Sequence, residues 1–314
     1  MLPKLWFLPL DLNMPPDGLS IKSPPSEQPL LLWLVKVLAP MKRTRVKQML
    51  QHGRVRVNGV ITTRHDHLVR PEDTISQMPE GSLPPVEFLA QAGGKIAKPP
   101  FAIIHSDEHL LVIDKPSGLL SVANGPHKTN TIFAKLLEWL DIQKAGRPHV
   151  VHRLDRETSG LMIFARSHQV AESLQTNWET VRKTYLAICE GCPRPPEGVV
   201  DNLIEEGRDL KVRVVERPGP DARRAVSTYK VVSRHQAYSL VEVGLETGRK
   251  HQIRVHLAHL GCPVTGDELY GALQNPCGRI ALHSWKIQFP HPVTGEALEF
   301  EAPMPDGLKK MLTK

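Results

Sequence analysis

No stretch of this 314-residue chain approaches the roughly 20 consecutive apolar residues that a membrane-spanning helix needs, so no membrane partner is expected. Cysteine is scarce: there are four, too few for a disulfide-built scaffold of this length. An export signal is also lacking. Met1 to Leu12 is apolar but broken by Pro3, Pro9 and Asp11, and no small-residue cleavage site follows. Together these absences point to a reducing, cytoplasmic location. No GxGxxG follows a strand-like run and no GxxxxGK[ST] loop occurs, which argues against dinucleotide and P-loop chemistry. Aromatic residues make up 5% of the chain, with only four tyrosines, so a tyrosine inside a motif carries weight.

Positive charge is in surplus: 40 Lys and Arg against 33 Asp and Glu give a net charge of +7 and a pI of about 9.2. That balance suits an acidic partner such as nucleic acid. The surplus gathers early, at Lys42, Arg43, Arg45, Lys47, Arg54 and Arg56. RNA or a membrane surface is the sharper reading of that density, and a solvated helix face the plainer one.

The chain divides by composition. Residues 1–28, rich in proline and serine, read as a flexible segment. A first helix is expected from Leu30 to Leu38, and a second from about Lys42 to His52 with Val46, Met49 and Leu50 inward. Gly53 ends it. Arg54 to Val60 reads as strand, Asn-Gly turn and return strand. This order resembles the alpha-L RNA-binding domain of the S-four ribosomal-protein type, here residues 29–77. The resemblance implies RNA contacts by Arg43, Arg45, Lys47 and Arg54, of the phosphate-binding kind that does not read sequence. Residues 78–100 carry Pro79, Pro84, Pro85, Pro99, Pro100 and Gly93-Gly94, a linker.

Residues 101–314 form the larger module. Its centre is His152-Arg153-Leu154-Asp155-Arg156-Glu157-Thr158-Ser159-Gly160, followed by the strand-like run Leu161 to Ala165. Thr158 to Gly160 are turn formers, so Asp155 is expected on a loop at the rim of a sheet. Flanking arginines suit an ionised carboxylate that serves as nucleophile or base. Upstream, Leu110 to Asp114 is a strand stopped by Lys115-Pro116-Ser117-Gly118. Downstream, Val181 to Gly191 is a strand containing Tyr185. Helices are expected after Asn130 or Thr131 and after Ser167, the second with Val170, Leu174 and Trp178 stacked in the core. Two alternating strands then lead to Gly248-Arg249-Lys250-His251-Gln252-Ile253-Arg254-Val255-His256, with Arg249 expected in the first turn of a helix and Arg254 in its body.

These stretches, in this order, resemble the HRLDxxTSG, KPSG, KxYxA and GRxHQIRxH motifs of the RluA-type pseudouridine synthases, which isomerise uridine within folded RNA. The resemblance implies an α+β pseudouridine synthase fold, a mixed and mostly antiparallel sheet with a central cleft. It makes Asp155 the catalytic carboxylate, Tyr185 the contact to the target base and Arg254 the partner of Asp155. His152, Arg153, Arg249, His251 and Gln252 become RNA contacts, with Arg153 or His152 filling the space that an extruded uridine leaves. Lys250 stands where the family usually has threonine and Cys262 where histidine is common, neither at the three central positions.

The isomerisation changes no oxidation state, so no cofactor is expected. Asp155 could attack the anomeric carbon or the base, or act as base at the ribose, and Tyr185 could help remove the proton from carbon 5. Ribosomal RNA of the large subunit is the leading substrate; transfer RNA, or a non-catalytic role in ribosome assembly, are the alternatives. A base-excising glycosylase would use a similar carboxylate and release free uracil. Cys189 and Cys192 with Cys262 and Cys277 have poor spacing for a zinc site, and the histidines at 251, 256 and 259 lack the HExxH glutamate, so no metal is expected.

Overall fold

A computed structural model describes residues 19–51, 53–78, 99–123, 130–143, 145–217 and 219–313. Two compact units emerge: Met1–Lys98 with Ile142–Gly146, and Pro99–Asp141 with Arg147–Lys314. The first contains β1 (Leu19–Ile21), β2 (Gln28–Pro29), α1 (Leu30–Val37), α2 (Arg43–Gln51), β3 (Val55–Val57), β4 (Val60–Ile61), β5 (Leu68–Val69) and β6 (Ile75–Gln77). Leu30, Leu34, Val46, Leu50, Val55 and Ile75 fill its core. Asn58 and Gly59 take positive φ (51° and 76°), the conformation that a two-residue hairpin turn between β3 and β4 demands.

Residues 19–28 depart from the expected flexible segment. Here β1 pairs with β6, and β2 pairs with β5. Such short strands carry no alternation of their own; their partners supply the order. The linker expected at 78–100 falls largely outside the described residues.

The second unit is built on an eleven-stranded sheet. Its strands are β7 (Ala102–Ser106), β8 (Leu110–Lys115), β9 (His149–Val150), β10 (Ser159–Ala165), β11 (Arg182–Glu190), β12 (Glu197–Glu206), β13 (Val212–Val214), β14 (Arg223–His235), β15 (Tyr238–Leu245), β16 (Leu282–Pro290) and β17 (Ala297–Glu301). The order runs β13-β12-β14-β15-β11-β16-β10-β8-β7, with β9 on β10 and β17 on β16. Every pairing is antiparallel except β10 with β16. All seven residues of β10 are buried, as an interior strand with both faces covered requires.

Three helices of this unit matter for the site: α3 (Ile132–Ile142), α4 (His168–Thr176) and α5 (Gln252–His259). Thr131 caps α3 through its hydroxyl, which accepts from Ala134 N, and Ser167 caps α4 by accepting from Val170 N. Val170 and Leu174 pack with Leu161, Ile163, Ile287 and Phe289 in one core cluster. Trp178 packs against this cluster as expected, although it lies beyond the end of α4 in a short 3-10 turn. No helix among the described residues is long and apolar enough to cross a membrane.

Candidate active site

The parallel junction of β10 and β16 organises the site. Gly160 pairs with Ser284 across it, and on the other side of β16 Tyr185 of β11 pairs with the same serine. The loop carrying Asp155 therefore enters the sheet one strand away from Tyr185. Gly160 has φ +109°, and a Cβ there would come within 2.7 Å of Ser284 N and closer still to its carbonyl oxygen. Only glycine permits this approach.

The loop itself is held from several directions. Lys115 is fully buried at the end of β8 and donates through Nζ to the carbonyls of Pro116 (3.0 Å), Arg156 (2.9 Å) and Thr158 (2.7 Å). Burial pushes its pKa down to about 8. Ser117 Oγ donates to Glu157 O, and Ser121 Oγ both donates to Leu154 O and accepts from Leu154 N. Arg279 Nη2 reaches Ser159 Oγ at 2.8 Å, and Ser159 Oγ meets His283 Nδ1 at 2.8 Å. The KPSG segment thus holds the backbone from Arg156 to Thr158, and Ser121 holds Leu154.

A cleft of about 250 Å³ opens beside this loop. It lies just below the ~300–1,000 Å³ of drug-sized ligand pockets, a volume suited to one nucleobase with part of its sugar. Asp155, Tyr185 and Arg254 all line it, with His152, Arg153, Trp178, Lys183, Arg249 and His251, over apolar Leu245, Ile253 and Leu282. Asp155 is partly exposed to the cleft, its side chain 29% accessible, and Arg254 Nη1 stands 3.8 Å from its Oδ2. Burial pushes the Tyr185 phenol up to about 12; a hydrogen bond with Ser284 opposes the shift and the Asp155 charge adds to it. The phenol is therefore neutral at physiological pH.

Arg254 has a stronger partner than Asp155. Asp267, whose side chain is 1% exposed, accepts from Arg254 Nε at 2.6 Å and from Nη2 at 2.8 Å. Burial disfavours the guanidinium charge, but the bonds to Asp267 and the charges of Asp267 and Asp155 raise its pKa above the ordinary value. Nothing in the spacing of Asp267 within Gly266-Asp267-Glu268-Leu269-Tyr270 marked it.

Several expected contacts are placed otherwise. Arg249 precedes α5 rather than joining its first turn, because His251 takes a left-handed backbone (φ 54°) at the helix start. Arg249 remains exposed at the cleft, with Nε donating to Arg224 O. Gln252 is buried and its amide is fully engaged: Oε1 accepts from Thr247 Oγ1 and Arg249 N, while Nε2 donates to Val226 O and Ser227 Oγ. It organises the helix start and has no group to offer RNA. His152 Nε2 accepts from Ile163 N, and burial with nearby Lys183 pushes its pKa down to about 3. That ring is neutral and tied to β10, which leaves the exposed Arg153 as the free side chain of the pair.

Trp178 and Lys183 were not singled out as site residues from the sequence. The Trp178 ring lies 4.9 Å from His152, and Lys183 Nζ sits 5.0 Å from the centroid of the same indole. Lys183 had a signal: two positions before Tyr185 on one strand, it points to the same face. In the first unit Arg43 and Lys47 are exposed and Arg45 is half-buried on α2. Arg54 is different. It is 7% exposed and donates to the Gln143 carbonyl at 3.3 Å within the same unit, and burial followed by the nearby Arg45 lowers its pKa. The expectation of a surface phosphate contact there is corrected.

No group of three or more His, Cys, Asp or Glu side chains among the described residues could hold a metal ion. Cys189 is buried on β11, where burial and the neighbouring thiols push its pKa up.

The RNA pseudouridylate synthase family matches residues 109–259, and the S4 domain matches residues 32–75. An RNA pseudouridine synthase of Bacillus subtilis, YlyB, is 35% identical over 278 residues, 86% of this chain and 88% of that protein. The ribosomal large subunit pseudouridine synthase D of Neisseria meningitidis is 34% identical over 299 residues, 89% of this chain and 76% of that protein. Among solved structures, human RNA pseudouridylate synthase domain containing 4 superposes with a TM-score of 0.56 at 32% identity, covering 67% of this chain and 91% of that one.

Proposed function

This chain belongs to the RNA pseudouridylate synthase family and isomerises uridine to pseudouridine in RNA; from that premise we propose that it acts on large-subunit ribosomal RNA in the cytoplasm, with Asp155 as its reactive carboxylate. The observation that carries the site is the 3.8 Å approach of Arg254 Nη1 to Asp155 Oδ2 in a cleft that Tyr185 also lines. A relative named for the ribosomal large subunit supports the substrate class.

The reaction breaks the bond from ribose to nitrogen 1, turns the uracil, joins carbon 5 to the ribose and releases the proton on carbon 5. A cleft of this size takes one extruded uridine, and extrusion from a stacked RNA costs a few kcal/mol. Arg153, exposed at the cleft, occupies the vacated position or the flanking phosphates. Asp155 then meets the base or the anomeric carbon, oriented by Arg254. Tyr185 lies beside the uracil as a neutral phenol, so it accepts the carbon 5 proton only by handing its own proton on. Its hydrogen-bond partner for that is Ser284. The first unit docks RNA, with Arg43, Arg45 and Lys47 on phosphates, and the second carries the catalytic site.

The test compares RNA from cells with and without the gene, mapping pseudouridine by carbodiimide adducts and reverse-transcription stops, with complementation by wild type and Asp155→Asn. Large-subunit sites lost in the deletion and restored only by wild type are the expected result. Sites lost from transfer RNA instead would replace the substrate, and restoration by Asp155→Asn would remove the proposed carboxylate.

A further inference from the structure

Arg254 is pinned on three sides, and only one of those sides faces the cleft. Asp267 takes its Nε and Nη2 in the fork-to-fork geometry that fixes a guanidinium plane. That leaves Nη1 as the nitrogen that approaches Asp155. The Tyr270 ring lies against the guanidinium, with its centroid 4.9 Å from Cζ. The Tyr270 hydroxyl is itself fixed: it accepts from Val212 N at 3.2 Å and meets His251 Nδ1 at 2.9 Å. His251 in turn lines the cleft.

From these contacts we propose that Asp267 and Tyr270 are positioning residues of the reaction, a buried clamp that sets where Arg254 Nη1 meets Asp155 and, through the Tyr270 hydroxyl, where His251 stands at the cleft wall. The inference rests on the reading of Asp155 as the reactive carboxylate. Neither Asp267 nor Tyr270 is among the residues that line the cleft, so each acts through another side chain. Charge follows the same geometry. Two carboxylates share one guanidinium, and Asp267 takes the Nε and Nη2 edge of it. Asp155 is thereby oriented by a single nitrogen and is not locked into a bidentate pair that would occupy both of its oxygens.

The experiment measures kcat and KM of the full chain on its RNA, with melting temperature as a fold control, for wild type, Asp155→Asn, Asp267→Asn, Arg254→Lys and the double variant Arg254→Lys/Asp267→Asn. The clamp predicts a fall in kcat of at least tenfold for Asp267→Asn with KM within threefold of wild type. It also predicts that the double variant is no more than threefold slower than Arg254→Lys alone, because Asp267 acts through Arg254. A wild-type kcat in Asp267→Asn, a loss confined to KM, or losses that multiply in the double variant would each overturn the proposal. Should Asp267→Asn fail to fold, Asp267→Glu keeps the buried pair but lengthens it by one methylene. A folded Asp267→Glu with wild-type kcat overturns the clamp, and a kcat-only loss supports it. Full activity in Asp155→Asn would instead sink the underlying site reading, an outcome distinct from all of these.

Discussion

Gly160 and Ser284 lie side by side at the one parallel pairing described in the large sheet, and their backbones approach so closely that no β-carbon fits between them. This contact ends the Asp155 loop and brings it to the strand that Tyr185 flanks from the other side. A methyl group at position 160 must push β10 from β16 or force a non-glycine residue to hold φ +109°. Each of these costs about 1–3 kcal/mol. Gly160→Ala is therefore expected to lose at least about 2 kcal/mol of stability, together with most of its activity. Urea unfolding is the check, and an unchanged midpoint with wild-type turnover would refute the packing argument.

Lys115 makes a second prediction, on pH. Its pKa in the folded chain, about 8, lies below the ordinary 10.5 because burial disfavours the charge. Between those values the unfolded chain binds more protons than the folded one, so this lysine's contribution to stability rises as pH climbs from about 8 towards 10.5. Lys115→Met removes the titration and strands two carbonyls of the catalytic loop, Arg156 and Thr158, together with that of Pro116. It is expected to cost about 3 kcal/mol at neutral pH. The gap between wild type and variant should widen above pH 8. A gap that stays constant or narrows from pH 8 to 10 would contradict the buried, charged lysine.

Three histidines, His256 and His283 buried and His152 half-buried, give the opposite end of the pH scale. Burial pushes His152 down to about 3, and His256 and His283 down to about 4. His283 is fixed as a neutral ring between Ser159 Oγ and the Ala302 carbonyl. The unfolded chain therefore takes up protons between about pH 6.5 and 4 that the folded chain refuses, and stability falls as pH drops through that window. Urea midpoints at pH 7, 6 and 5 should decline in that order, and His152→Gln should flatten part of the decline. Equal midpoints at all three pH values would count against neutral rings in the folded chain.

What the sequence made legible follows from how local each feature is. The strand carrying Tyr185 and the turn of Asn58 and Gly59 are set by residues within a few positions of one another, and both appear where periodicity placed them. The site residues drawn from contiguous motifs, Asp155 and Arg254, do meet. Asp267 did not stand out, because its importance comes from a guanidinium that reaches it across a turn. Trp178 packs against the Val170 and Leu174 core as its spacing suggested, but from beyond α4, which stops at Thr176, so its indole also forms the cleft wall beside His152. Arg249 was drawn into a helix by the same periodic reasoning, and the left-handed His251 ends that helix before it. Periodicity does not register a residue that leaves the helical backbone.

The basic surface of the first unit separates two kinds of arginine. Arg43 and Lys47 are exposed on α2 and suit phosphate contact, while Arg54 is buried and donates to Gln143 O. A cation on a phosphate releases counterions, so its removal lowers the slope of log affinity against log salt by roughly 0.7–0.9. Arg43→Ala with Lys47→Ala should accordingly reduce that slope by about 1.5, weakening target and unrelated RNA alike. Arg54→Met should leave the slope where it is and lower the unfolding midpoint instead, since what it loses is an internal hydrogen bond. Filter binding at several salt concentrations, paired with urea unfolding, separates the two. An Arg54→Met slope that falls as far as the surface variant's would return that residue to the RNA interface.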